Sequence, residues 1–300
     1  MFRQPKQLHI HIGAHKTATT HLQDTLAAVK EELAQQNIIY LPRDDYRDAI
    51  RELTHTSRLA KLKLSFLKKG YLARNLMQQC NADSTLVISE ENIMGDCIDL
   101  CAIQPYQRVN LDFIKFISGY IDTTVYLSIR SFDKVLPGAY TTALRFKPKI
   151  ALKAKQALST ALKNGQSPSW LPVLYNIQLQ LPAAKLKIWQ QEDYSNHWRE
   201  IIKEFTGAEL AVPVIQPPEG TVTPSLDAVK YVEDMIQAES FVAPKYWTKV
   251  CRDIYQDKKA TSNEDKYTFI DKDMQQVLQQ QYQNDISVIQ QEWPEALVRP

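Results

Sequence analysis

Short β-branched apolar runs separated by amphipathic stretches constrain this chain more than any other feature, because strands that alternate with helices have few ways to pack. LHIHI (8–12), NIIYLP (37–42), TLVIS (85–89), TTVYLSI (123–129) and AKLKIW (184–189) read as strands. Between the first two, Leu22, Leu26, Val29 and Leu33 recur at spacings of four, three and four, the stripe of an amphipathic helix. Thr17 or Thr19 is expected to supply its N-cap oxygen. Further helices are expected over 51–79, 108–118, 131–145, 147–163 and 197–205, the last closed by Gly207. After a proline-rich connection from Val212 to Ser225, the chain reads as helical to its end. Such alternation implies a mostly parallel sheet covered on both faces, within one domain spanning 1–300: a three-layer α/β/α fold with a helical C-terminal part.

Composition narrows the function. The chain carries 8 glycines where ordinary usage gives about 21, so no G-x-G-x-x-G dinucleotide fingerprint can be assembled. A net charge of +2 argues against a polyanion-coating protein and against a nucleic-acid partner, so any anion site is local. Cys80, Cys97, Cys101 and Cys251 make neither a disulfide framework nor a paired C-x-x-C metal arrangement, and are expected to be buried thiols. With no apolar run approaching 18 residues and no apolar leader, a cytoplasmic protein without a membrane span is expected.

The first strand leads into Gly13-Ala14-His15-Lys16-Thr17-Ala18-Thr19-Thr20 and then a helix. An anion belongs at such a turn: amides of a first helical turn lack partners, the helix dipole favours negative charge, and Lys16 and three threonine hydroxyls add to it. Gly13 permits the sharp exit from the strand. The nucleoside-triphosphate loop G-x-x-x-x-G-K-[ST] fails at both glycines, since Ile10 and His15 occupy those positions. The strands that could hold magnesium end in Ser89-Glu90 and Ile129-Arg130 rather than in Asp, which disfavours a magnesium-dependent kinase.

HIGAHKTATTHLQ resembles the 5′-phosphosulfate loop of the sulfotransferases that use 3′-phosphoadenosine 5′-phosphosulfate (PAPS). Lys16, Thr17, Thr19 and Thr20 match that loop, and Ala18 stands where the family most often has Gly, acceptable if the residue has already entered the right-handed helical region. A second family element puts an Arg at a later strand end and a Ser eight residues on, both gripping the 3′-phosphate. Arg130 fits, its planar fork suiting phosphate oxygens, while Gly138 stands where the Ser would be, with Ser131, Tyr140, Thr141 and Thr142 as nearby hydroxyls. The resemblance implies a P-loop NTPase-like fold and transfer of a sulfuryl group to a hydroxyl or amine acceptor, without a required metal and with adenosine 3′,5′-bisphosphate as product. Lys16 would stabilise the leaving phosphate. The base would be Glu90 by first preference and Glu91 by second, with His15 and His11 as alternatives, although His9 and His11 read as residues packed in the sheet. The acceptor would be a small molecule or a carbohydrate, held by basic clusters at Lys61–Arg74 and Arg145–Lys163 or stacked on Tyr71, Phe146, Trp170 or Tyr175. A nucleotide kinase and a non-catalytic nucleotide- or anion-binding protein are the alternatives.

Overall fold

The structure is a computed structural model that describes residues 4–48, 50, 64–211, 222–238 and 244–299. Five strands, β1 (Gln7–His11), β2 (Ile38–Tyr40), β3 (Thr85–Ser89), β4 (Asp122–Ile129) and β5 (Lys185–Gln190), form one all-parallel sheet in the order β2-β3-β1-β4-β5. Helices cover both faces, giving the expected three-layer α/β/α arrangement. Pleating explains why both faces are apolar. Leu8 and Ile10 of β1 point into one core with Ile88 and Val125, while Val87, Tyr126 and Trp189 build a second core on the opposite face. His9 and His11 point to that second face, where His11 stacks on Trp189 at 4.9 Å. The C-terminal residues Ala296 to Val298 hydrogen-bond to Ile188 and cover the open edge of β5.

The first helix is two. α1 (Thr19–Ala28) ends where Val29 leaves helical dihedrals (φ −107°), and α2 (Lys30–Gln35) then packs against β2. The expected helix over 51–79 appears as α3 (Leu64–Leu76), its earlier part lying outside the described residues. The short α4 (Cys97–Leu100) precedes α5 (Asp112–Ser118), α6 (Phe132–Phe146) and α7 (Pro148–Lys163). Next comes α8 (Leu171–Gln180), a helix the sequence pattern did not reveal because LPVLYNIQLQ carries no clear polar stripe. α9 (Gln191–Thr206) starts six residues before the expected 197, with non-helical dihedrals at His197, and Gly207 closes it at φ +79°. Most of the proline-rich connection, 212–221, lies outside the described residues.

The C-terminal part contains α10 (Leu226–Gln237), α11 (Pro244–Asp257) and α12 (Lys272–Glu292). It is not helical throughout. Residues 258–271 cross back over the molecule, pairing Lys259 with Pro224 and Lys266 with Ser225 as antiparallel bridges. Among the described residues no helix is long and apolar enough to cross a membrane.

Candidate active site

The chain leaves β1 toward β2 on one side of the sheet and leaves β4 toward β5 on the other. Ligands of open parallel sheets bind where such crossovers diverge, beyond the strands' C-terminal ends. Here that crevice is a cleft of about 1350 Å³ with Lys16 and Arg130 in its walls. It exceeds the roughly 300–1,000 Å³ of an ordinary small-molecule site, leaving room for two substrates.

The turn after β1 borders this cleft. Lys16 (φ 65°) and Ala18 (φ 60°) both adopt the left-handed region, a geometry that aims successive N–H groups into one concavity. Among the described residues, the amides of Lys16, Thr17, Ala18, Thr19 and Thr20 find no acceptor, and α1 makes its first helical bond only at Leu22. Two expectations are corrected here. Neither Thr17 nor Thr19 caps α1: Ala18 is the N-cap residue and supplies no side-chain bond. Nor has Ala18 entered the right-handed region; it holds the position's left-handed conformation with a Cβ in place.

Packing below the loop explains its shape. Thr17 Oγ1 donates to the Ala14 carbonyl at 2.6 Å and pairs with Ser128 Oγ, and Thr19 Oγ1 reaches the same carbonyl at 3.3 Å. Of the three loop hydroxyls, then, Thr17 and Thr19 brace the turn from beneath; Thr19 and half-buried Thr20 line the cleft, and Thr17 does not. His11 completes the brace by bridging Ser89 Oγ (2.9 Å) and Ser128 Oγ (3.2 Å). Its complete burial pushes its pKa down to about 3, so it is a neutral structural group, away from the cleft lining. His15 does line the cleft, held by Tyr106 Oη through both its amide (3.1 Å) and Nδ1 (2.9 Å). Burial first, then neighbouring Lys16, push it down to about 4.

The Lys16 side chain runs along Gly138 of α6, where an added Cβ would stand 3.6 Å from Cδ and 3.8 Å from Cε. Among the described residues no carboxylate pairs with its ammonium. Although water reaches Lys16, the protein walls around it lower its pKa and Arg145 lowers it further, while Cys97 and Glu91 oppose them. Arg130 is likewise without a carboxylate partner among the described residues. Its Nη1 donates to the Lys16 carbonyl at 3.3 Å, and its own carbonyl accepts the Trp170 indole N–H at 2.9 Å.

The two candidate bases differ in place. Glu90 is completely buried, and its carboxylate accepts from Arg47 Nε (2.7 Å), the Asn92 amide (3.0 Å) and Asn92 Nδ2. Glu91 lines the cleft. Arg47 Nη2 (3.3 Å) and Gln23 Nε2 (3.1 Å) each donate to one of its oxygens, leaving a lone pair on each. Of the two, the residue that continues the strand turns inward and its neighbour turns out, so Glu91 rather than Glu90 is the carboxylate that reaches the cleft. Gly13 makes this approach possible, since at φ +114° an added Cβ would lie 3.3 Å from Glu91 Cβ.

Among the described residues, most of the expected acceptor contacts do not reach the cleft. Trp170 is fully buried against Phe132 at 4.8 Å, and none of Tyr71, Phe146, Trp170 and Tyr175 lines the cleft. Of the basic cluster at Arg145–Lys163 only Arg145 does so; Lys155 is paired with Glu233 at 2.7 Å. Of the cluster at Lys61–Arg74, Lys61 and Lys63 lie outside the described residues, and Lys69 and Arg74 do not line the cleft. Cys80, Cys101 and Cys251 are buried free thiols and Cys97 is half-buried on the cleft wall. No protein-family model matches the chain, and no curated protein matches it.

Sequence reasoning missed Arg47, Gln23, Tyr106 and the crossing segment that brings Lys266 and Tyr267 to the cleft. Gln23 left the only usable signal, an amide beside Leu22 on the buried side of α1. The others depend on contacts 43 or more residues apart in sequence.

Proposed function

We propose that this protein is a PAPS-dependent sulfotransferase. The observation that carries the reading is the row of five amides, Lys16 to Thr20, without a partner among the described residues, in the loop that walls the same crevice as the Lys16 ammonium and Arg130 guanidinium, neither with a carboxylate partner among those residues. These groups suit a ligand with two separated anionic centres: the loop and Lys16 for a phosphosulfate, Arg130 for a 3′-phosphate. The residues present therefore fit the donor, apart from Gly138.

The donor supplies an activated sulfuryl group, whose S–O bond to phosphate breaks as the acceptor oxygen or nitrogen bonds to sulfur, with adenosine 3′,5′-bisphosphate as the other product. Lys16 and the loop amides stabilise charge on the departing phosphate oxygen, a term that preorganised donors supply without reorganisation. Glu91 takes the acceptor proton. Arg47 and Gln23 hold its carboxylate toward the cleft, and His11, Thr17 and Ser128 hold the loop in register beneath.

Calorimetry tests the reading: adenosine 3′,5′-bisphosphate should bind with at least tenfold preference over ATP with magnesium. Preference for ATP would support a nucleotide kinase and remove the proposal.

A further inference from the structure

Arg145 is a cation that the proposed donor site leaves unused. Among the described residues, the cleft is lined by five Lys and Arg side chains against two carboxylates, Glu91 and Asp133. Both acids are engaged, Glu91 with Arg47 and Gln23, Asp133 with Lys134 (3.5 Å), Gln275 and Gln279. A chain with a net charge of only +2 thus concentrates uncompensated positive charge in one place.

Arg145 lies on the cleft-facing stripe of α6, two turns beyond Gly138 and about 10 Å along the helix from it at the usual rise per residue. Its backbone is fixed from α11: Thr248 Oγ1 donates to the Arg145 carbonyl at 3.0 Å, and the Trp247 indole to that of Leu144 at 2.9 Å. Among the described residues no carboxylate lies within ion-pair distance of the guanidinium, and its Nε is buried without any hydrogen-bond partner. Buried donors are ordinarily satisfied, and this one belongs to a half-buried cation. Arg145 also stands close enough to Lys16 and Cys97 to perturb both electrostatically, so two like charges border one space. An anion placed there relieves both.

Resting on the sulfotransferase reading, we infer that Arg145 is an acceptor-side anion site, and that the acceptor carries a carboxylate or sulfate-ester group beside the hydroxyl or amine to be sulfated. Arg130 and the loop already meet the donor's charges, so Arg145 selects the second substrate.

Cys97 reports on the site directly. Iodoacetate and iodoacetamide alkylate the same thiolate with loss of iodide, so the ratio of their rates cancels thiolate content and reads local preference for a carboxylate. The ratio at Cys97, followed by peptide mass spectrometry, is measured with adenosine 3′,5′-bisphosphate saturating and again without it, in the native protein, Arg145→Gln and Arg145→Lys. Iodoacetate should be favoured about tenfold over its ratio at a free model thiol in the native protein and in Arg145→Lys, and the preference should fall by about threefold or more in Arg145→Gln, where Lys16 remains as the cation beside Cys97. Bisphosphate affinity by calorimetry should stay within about threefold across the three proteins. A ratio unchanged in Arg145→Gln overturns the inference. So does a tenfold loss of bisphosphate affinity, which would assign Arg145 to the donor. If the native protein binds no bisphosphate, the sulfotransferase reading fails by itself, while the nucleotide-free ratio still decides whether Arg145 holds an anion.

Discussion

Replacing Glu90 and Glu91 separately by Gln should produce opposite defects. In Glu90→Gln one carboxylate oxygen becomes an NH2. Glu90 accepts on both oxygens, from Arg47 Nε on one and from the Asn92 amide and Nδ2 on the other. Whichever way the new amide turns, its nitrogen meets a donor, in a position with no solvent access. Removing one partner of a buried ion pair costs about 3–5 kcal/mol. Arg47 is one-quarter exposed and retains Glu91, which lowers the expectation to about 2–3 kcal/mol. At about 2–4 °C per kcal/mol for a large domain, the melting temperature should fall by about 4–12 °C. Glu91→Gln also turns an amide nitrogen toward Arg47 or Gln23, but at a cleft wall where water can take the lost contact, so it should melt within about 3 °C of the native protein, yet lose about 10²–10⁴-fold in sulfuryl transfer if it is the base. Thermal unfolding followed by circular dichroism, with transfer assayed using labelled PAPS well below each melting temperature, separates the two. An inactive Glu90→Gln that melts normally, beside an active Glu91→Gln, would refute the assignment.

Lys16→Ala should abolish transfer without unfolding the chain, as its side chain reaches water and has no carboxylate partner among the described residues; measurable turnover would contradict the loop's role. Arg130→Ala should weaken adenosine 3′,5′-bisphosphate at least tenfold while leaving adenosine 5′-phosphate within about threefold, and equal losses by calorimetry would free Arg130 from the 3′-phosphate. Gly138→Ala should stabilise by about 0.5–1 kcal/mol in urea unfolding, because the new Cβ meets Lys16 carbons at ordinary contact distances of 3.6–3.8 Å and an interior helical glycine is unfavourable by that amount. Burial holds His11 near 3 and His15 near 4 in the folded state against 6.5 unfolded, so the unfolded chain binds more protons below about pH 6.5. Urea midpoints should therefore fall as pH drops from 6.5 toward 4, by up to about 1.4 kcal/mol per unit for each histidine, with a shallower slope in His11→Asn; an unchanged midpoint between pH 6.5 and 5 would contradict the burial of these rings.

The sheet was legible because each strand is a local run of β-branched and apolar residues, and β3 matches its expected span at both ends. Helix ends and breaks were less so. The split at Val29 and the helix at Leu171–Gln180 follow from what these segments pack against, which periodicity does not record. The same division runs through the site. Gly13, Lys16 and Arg130 lie in or beside strand-end turns whose place in a parallel sheet follows from sequence order, so the crevice between them was deducible. The choice between Glu90 and Glu91 was not, because it turns on Arg47, a residue in a short segment with no periodic pattern of its own.

Ala18 is where the local reading went furthest astray, and its left-handed conformation says how the loop is maintained. An L-residue there carries a penalty of about 1–2 kcal/mol that glycine avoids. The bonds beneath the turn, from Thr17 and Thr19 to the Ala14 carbonyl and from Ser128 to the Gly13 carbonyl, hold it regardless. Ala18→Gly should relieve the strain but add chain entropy on unfolding, for a net gain of about 0.5–1 kcal/mol. Thr17→Val should remove the brace while keeping the residue's shape, orphaning its Ser128 contact and weakening the loop's hold on its amides. Adenosine 3′,5′-bisphosphate affinity should then fall about tenfold in Thr17→Val and stay within about threefold in Ala18→Gly. The reverse order, measured by calorimetry, would mean that the Cβ of Ala18 rather than the hydroxyl beneath it shapes the anion cradle.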